Sequence, residues 1–249
     1  MLRSIIGVLA ILIFFILSIP TFLVLVIIGK FNPHAKDMAS LRIVQGMAHL
    51  VLFLSGTKVT LIGKENIPTD RPVLFIMNHR SLFDILLTVV NNPIPPGYIG
   101  KKEIQKVPVL GTWLKFLKGY FLDRSDIKQG LKTILAAIED VKNGTSIAIF
   151  PEGTRNRNEK DTDLLEFHEG SFKIATKSGC PIVPVAINGS ADILEKHFPF
   201  IRSAHVTVEY LKPIETATMA RGDMKFIGKQ TREIMTETLT RNAQVPASK

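Results

Sequence analysis

Between Ile5 and Gly29 the chain carries no charged residue, and only Ser18, Pro20 and Thr21 interrupt its apolar character. Such a run has few ways to fold. Away from water its backbone amides must bond one another, and a helix does this within one segment. As a helix the run extends roughly 37 Å at ~1.5 Å per residue. That is enough to cross a hydrocarbon layer ~30 Å thick with some tilt. Pro20 removes one internal hydrogen bond, so a kinked, half-inserted hairpin is the alternative to a straight span. A secretory signal is the rival, because Arg3 supplies a basic start. The run is too long for one, and no small-residue cleavage site follows. Lys30, His34, Lys36 and Arg42 follow the run, whereas only Arg3 and the terminal amine precede it. That asymmetry places the rest of the chain on the cytoplasmic side of a membrane.

Residues 1–30 are therefore expected to be a membrane anchor. Asn32-Pro33 reads as a breaker, and a second apolar stretch, Leu41 to Leu54, carries Arg42, Gln45 and His49. At ~14 residues it is short for a span and fits a helix lying in the interface or on the domain, so 31–56 reads as interfacial helix and linker. Residues 57–242 form the globular domain, and 243–249 a flexible tail. The lone Cys180 has no partner for an internal disulfide, which fits a reducing compartment. A formal charge of +9 invites nucleic acid, but no helix-turn-helix, zinc-finger or aromatic RNA-binding pattern accompanies it. An anionic membrane surface and acidic substrates are the better partners.

Within the domain, strand-like and helix-like runs alternate. Val59–Ile62, Val73–Met77, Tyr98–Gly100, Tyr120–Leu122, Ser146–Phe150, Ile182–Ile187 and His205–Tyr210 read as strands. Helical patterns fill Leu82–Val90, Lys102–Leu117 with a break near Pro108 and Gly111, Ile127–Lys142, Ser171–Lys177 and Arg221 to about Thr240. The alternation predicts an α/β domain whose sheet is largely parallel, with flanking helices.

Two segments carry chemistry, each directly after a buried strand, where open α/β sheets place their ligands. Asn78-His79-Arg80-Ser81-Leu82-Phe83-Asp84 offers a histidine and a carboxylate, and Phe150-Pro151-Glu152-Gly153-Thr154-Arg155 a carboxylate and a guanidinium. In a regular helix His79 and Asp84 would lie ~140° apart, so they meet only if the chain turns between them. Ser81 as an N-cap supplies such a turn. Ser81-x-x-Asp84 also matches a capping box, with Asp84 serving the helix start instead of the histidine. As a dyad, the carboxylate would fix one ring nitrogen as N–H and leave the other free to accept a proton. A hydroxyl held there becomes nucleophilic without a metal. No Gly-x-Ser-x-Gly elbow is present and no third metal ligand accompanies the pair, so the substrate supplies the hydroxyl. Glu152 and Arg155 form either a surface ion pair or an anion clamp in which Gly153 allows close backbone approach and Glu152 orients Arg155 or meets a substrate hydroxyl. Arg124, after the strand Tyr120–Leu122, and Lys101, after Tyr98–Gly100, are further phosphate contacts or plain solvated charges.

The order Asn-His-x-Ser-x-x-Asp, an aromatic-rich segment ending in Asp123-Arg124, Phe-Pro-Glu-Gly-Thr-Arg, then Val183-Pro184-Val185-Ala186-Ile187 resembles the glycerophospholipid acyltransferase family. It is most similar to the bacterial 1-acyl-sn-glycerol-3-phosphate acyltransferases. The resemblance implies His79 as general base, Asp84 as its orienting partner, and Arg124, Glu152, Gly153 and Arg155 as holders of the acyl acceptor. It implies acyl transfer from acyl-carrier protein or acyl-CoA to the 2-hydroxyl of lysophosphatidic acid, with no cofactor and no covalent intermediate, on the cytoplasmic face of a cell membrane, the inner membrane in a bacterium. The sequence does not name the oxyanion donors; backbone N–H groups near the Ser81 helix start are candidates. Another acceptor (a lyso-amino-acid lipid, another lysophospholipid or glycerol-3-phosphate), a thioesterase and a non-catalytic lipid-binding protein are the competing readings.

Overall fold

The computed structural model describes residues 2–123 and 125–244. The chain runs α1 (Leu2–Phe31), α2 (Pro33–Ser55), β1 (Lys58–Ile62), β2 (Leu74–Met77), α3 (Phe83–Val89), β3 (Gly97–Lys101), α4 (Pro108–Phe116), β4 (Tyr120–Leu122), α5 (Ile127–Lys142), β5 (Ile147–Ile149), α6 (Lys173–Ser178), β6 (Ile182–Asn188), β7 (His205–Tyr210) and α7 (Ile227–Gln244). Among the described residues the strands form one seven-stranded sheet in the order β1-β7-β6-β2-β5-β3-β4. Every neighbouring pair is parallel except β6 with β7. The largely parallel sheet with flanking helices is thus as the alternation implies.

Strands at the centre are apolar throughout because both faces are covered. From β2, Phe75 and Met77 face the core shared with α2 and α3. Leu74 and Ile76 face the other, shared with α5, α6 and α7. After β2 the chain passes to α3 on the first face, and after β5 it passes to α6 on the second. Two adjacent strands whose connections leave in opposite directions open a crevice at their carboxyl ends, the place where such sheets bind ligands. Both motif loops leave from that crevice.

Helix α1 is continuous through Pro20 over 30 residues, about 45 Å at 1.5 Å per residue. Asn32 is not a breaker but a cap: its Oδ1 accepts from Ala35 N at 2.9 Å, and Pro33 occupies the first turn of α2. That pairing is how helices begin. It starts α2 well before Leu41, so α2 has 23 residues and, like α1, is long and apolar enough to cross a membrane. The two helices are antiparallel, with the Arg3 guanidinium beside Gly56 at the far end of α2. Helix α2 lies on the domain, burying Leu41, Ala48, Val51 and Leu52 and donating from Gln45 Nε2 to the carbonyls of Val89 and Asn92. Helix α1 touches the domain along its length. Ser4 Oγ accepts from Ile201 N at 2.8 Å, Ser18 Oγ accepts from Trp113 Nε1 at 2.8 Å, and Phe14 and Phe22 flank the Trp113 ring. Its opposite face, including Leu9, Leu12, Ile16, Ile19, Leu23 and Ile27, is bare.

The last helix begins at Ile227, after a short 3-10 turn at Asp223–Lys225, and continues to Gln244. The expected tail therefore starts inside a helix, where Asn242 is still buried. Its remaining residues, 245–249, lie outside the described residues.

Candidate active site

The turn after β2 is fixed before His79 is reached. Asn78, fully buried, donates from Nδ2 to Ile187 O and accepts at Oδ1 from Ile187 N, at 2.9 and 2.8 Å. This pair of bonds ties the end of β2 to β6 and lets the chain leave the sheet. His79 is then held by its backbone on both sides. Its N–H donates to Glu152 Oε1 at 2.8 Å, and its carbonyl accepts from Asn156 N at 2.6 Å.

His79 Nδ1 and Asp84 Oδ2 are 2.9 Å apart. Asp84 is fully buried, and the same Oδ2 accepts from the amides of Arg80 and Ser81 at 2.7 and 2.8 Å. The dyad and the capping box are therefore one arrangement: a single carboxylate oxygen closes the turn and meets the imidazole. Ser81 Oγ caps by accepting from Phe83 N at 3.0 Å, which starts α3. The Phe150 ring stacks on the imidazole at 4.1 Å and an angle of 22°. With Nδ1–H directed at Asp84, Nε2 is the nitrogen left to accept a proton.

These bonds occupy the candidate oxyanion donors. Amides near Ser81 are already occupied: Arg80 N and Ser81 N by Asp84, Phe83 N by Ser81, and Leu82 N by Glu195 Oε1 at 2.9 Å. A tight turn that satisfies its own donors has none to offer a ligand unless one is released.

Glu152 also differs from expectation. It neither pairs with Arg155 nor faces a cavity. It is buried, and its two oxygens accept from the amides of His79 and Leu165 at 2.8 and 2.9 Å. Burial pushes its carboxyl above the ordinary range, while the two amide bonds pull the other way. Gly153 has φ 73°, a left-handed turn that turns the chain back on Phe150 O and disfavours any residue with a Cβ. Beyond that turn Arg155 points away from Glu152 and bonds Glu195 Oε1 through Nη1 at 3.0 Å.

Arg155 lines a cavity of 830 Å³ beside the His79 turn, together with Arg80, Leu82, Arg157, Glu195 and Lys196. Arg80 is buried at 3 % exposure, in an ion pair with Asp161 at 2.9 Å, and donates to the carbonyls of Asn158 and Lys160. It pins the loop after Arg155 over the turn. Arg157, Glu195 and Lys196 carry no signal in the sequence as site residues; Arg80 alone gives one, a second basic side chain between His79 and Asp84. Phe150 itself lines a smaller, mainly apolar groove of 350 Å³, together with Ile99, Leu122, Ile134 and Ile149.

Lys101 stands at the end of β3, two strands from β2, exposed and lining neither cavity. Its neighbour Lys102 pairs with Asp123 and holds that carboxyl down to about 2. Arg124, expected to hold the acceptor, lies outside the described residues. Cys180 is buried and its thiol pushed up by burial, away from the crevice chemistry.

Residues 58–188 match the family model described as "Acyltransferase". The chain is 31% identical over 202 residues to the 1-acyl-sn-glycerol-3-phosphate acyltransferase of Saccharomyces cerevisiae, covering 80% of this chain and 65% of that one. It is 32% identical over 149 residues to the enzyme of that name from Borreliella burgdorferi, covering 60% and 58%. The chain thus spans less than two thirds of the length of these relatives. The crystal structure of the 1-acyl-sn-glycerophosphate (LPA) acyltransferase from Thermotoga maritima superposes with a TM-score of 0.78 at 25% identity, covering 99% of this chain and 100% of that one. With the motif turn, the crevice and the matched span in agreement, the chain belongs to the acyltransferase family.

Proposed function

We propose that the protein transfers an acyl chain from an acyl thioester, on acyl-carrier protein or coenzyme A, to the 2-hydroxyl of lysophosphatidic acid, giving phosphatidic acid. The observation that carries this reading is the His79–Asp84 pair, 2.9 Å apart, on a turn whose Arg80 and Leu82 line a cavity together with Arg155 and Arg157. A base beside an anion clamp suits a substrate that bears both a hydroxyl and a phosphate. The acceptor's phosphate docks on Arg155, whose guanidinium forks onto phosphate oxygens. His79 Nε2 takes the proton from the 2-hydroxyl as its oxygen attacks the thioester carbonyl. Asp84 stabilises the imidazolium that forms, without itself taking the proton. The tetrahedral intermediate collapses, the C–S bond breaks, and His79 returns its proton to the departing thiolate. Atoms and charge balance without a metal or an enzyme-bound acyl group.

The test is acyl transfer from labelled acyl-CoA and acyl-carrier protein by detergent-purified protein. Labelled phosphatidic acid from lysophosphatidic acid is the expected product. Transfer only to glycerol-3-phosphate or to a lyso-amino-acid lipid would reassign the acceptor, and release of free fatty acid at the full rate would make the protein a thioesterase.

The anchor reads as lying in one leaflet of a cell membrane, on its cytoplasmic face and in a bacterium the inner membrane, and not as a span. Both ends of α1 are tied to one domain: Ser4 to Ile201 at its start, and, just past its end, Lys36 over the Phe116 ring at 5.3 Å. A helix crossing the bilayer would carry one of those domain surfaces into the hydrocarbon, which their polar groups forbid. Basic residues near the turn, with the net charge of +9, favour an anionic leaflet. Cysteines placed at Leu2 and at Phe31, both exposed, should react with an impermeant maleimide from the same side of sealed vesicles. Labelling from opposite sides would restore the straight span.

A further inference from the structure

Glu195 lies outside every motif, yet it touches two of them. Its Oε1 accepts from Leu82 N, in the turn that carries His79, and from Arg155 Nη1, in the turn after β5, at 2.9 and 3.0 Å. Its Oε2 is buried and has no hydrogen-bond partner among the described residues. Of the other cations around the 830 Å³ cavity, Arg80 is paired with Asp161 and Lys196 with Asp192, and Arg157 is exposed to solvent. Arg155 keeps 37% of its side chain exposed, so without a tether its guanidinium would sample several rotamers.

The loop that carries Glu195 is anchored at both ends. Gly189 N donates to Asp161 Oδ2 at 2.7 Å, Ile193 is fully buried, and Ile201 N donates to Ser4 Oγ at 2.8 Å. A carboxylate on so fixed a loop is suited to hold a neighbour still, and poorly suited to swing away. We infer that Glu195 is a positioning residue for the acceptor phosphate. It fixes one N–H of the Arg155 fork and registers that fork against the His79 turn through Leu82, leaving the remaining guanidinium donors to meet phosphate oxygens. A clamp set in advance binds more tightly because the ordering cost is met before the ligand arrives. The inference rests on reading Arg155 as the phosphate contact.

The experiment is a double-substitution cycle read by calorimetric binding of a short-chain lysophosphatidic acid to the full-length protein in detergent. Glu195→Ala should weaken binding about tenfold, the lower end of what a hydrogen bond to a charged group supports. Glu195→Gln keeps an acceptor oxygen in place and should recover most of that loss. Arg155→Ala should weaken binding further, and Glu195→Ala added to it should change nothing more, because Glu195 acts through Arg155. Tighter binding by Glu195→Ala would overturn the inference and make the carboxylate a plug in the anion's place. Additive losses, with no recovery by glutamine, would reduce Glu195 to a fold contact. Wild-type protein that binds the lipid with this coupling but does not acylate it would keep the inference and remove the acyltransferase reading. Acyl transfer without the coupling would do the reverse, and failure to bind the lipid at all would sink both.

Discussion

Alanine in place of His79 is expected to lower kcat for acyl transfer by about 10²–10⁴-fold, the range a positioned general base contributes. Acceptor binding should hardly move, because in the proposed mechanism the phosphate docks on Arg155 and the imidazole meets only the reacting hydroxyl. The substitution is also expected to leave a folded protein. The turn is held by bonds that do not use the imidazole: Asn78 to Ile187, the His79 amide to Glu152, and the amides of Arg80 and Ser81 to Asp84. The cost in stability is the ring's stacking on Phe150 and one of the three bonds to Asp84, together about 1–3 kcal/mol. Circular dichroism and a melting curve beside the rate measurement separate the two effects. A folded His79→Ala protein that transfers acyl chains at the wild-type rate would sink the mechanism.

Asp84→Asn probes the same pair from the other side. An asparagine can set its carbonyl oxygen where Oδ2 sits and still accept all three N–H groups, so the turn survives. What disappears is the negative charge that stabilises the imidazolium as the proton arrives. The loss should therefore fall on kcat and leave acceptor affinity intact. A drop confined to KM would mean that Asp84 serves only the turn.

How much of this site the sequence discloses depends on how far apart in the chain the partners are. His79 and Asp84 lie five residues apart across one turn, and a serine between them advertises that turn, so their meeting is readable from spacing. The central strands are legible for a similar reason: Leu74–Met77 and residues 182–187 are apolar throughout because both faces are covered. The sequence understates α2 because Asn32-Pro33 has the form of a breaker, while asparagine before proline is also how a helix is capped and started. Glu152 was legible as a site residue but not in its role. Its partners, the amides of His79 and Leu165, are brought to it only by closure of the sheet. Glu195 is harder still. Nothing local distinguishes a glutamate in a surface-like stretch from one whose carboxylate bridges two distant turns.

Glu152→Gln tests the reading that Glu152 positions His79 and does not bind substrate. The carboxylate accepts two backbone amides with its two oxygens. A glutamine offers one oxygen and one NH₂, and the NH₂ must face an amide N–H. If the oxygen keeps His79, the Leu165 amide is left unpaired, at about 1–3 kcal/mol; if it keeps Leu165, His79 is pushed aside. Against this stands a gain: the wild-type carboxyl is raised by burial, so removing its charge relieves a cost. Stability should therefore change little, within about 2 kcal/mol. Activity has no such compensation. A shift of about 1 Å in a catalytic group costs on the order of 10²-fold in rate, and kcat should fall by about that factor. The pH behaviour follows from the same shift. Because its folded value lies above the ordinary one, Glu152's contribution to stability is fully present below its unfolded value and is lost as pH rises through the folded value. Its contribution to activity runs the other way, since only the ionised form accepts both amides. On acidification the wild-type protein should lose rate through this group while the group itself favours the fold, and the glutamine variant should lack both trends. A Glu152→Gln protein with wild-type kcat would return Glu152 to the substrate side or to no role at all.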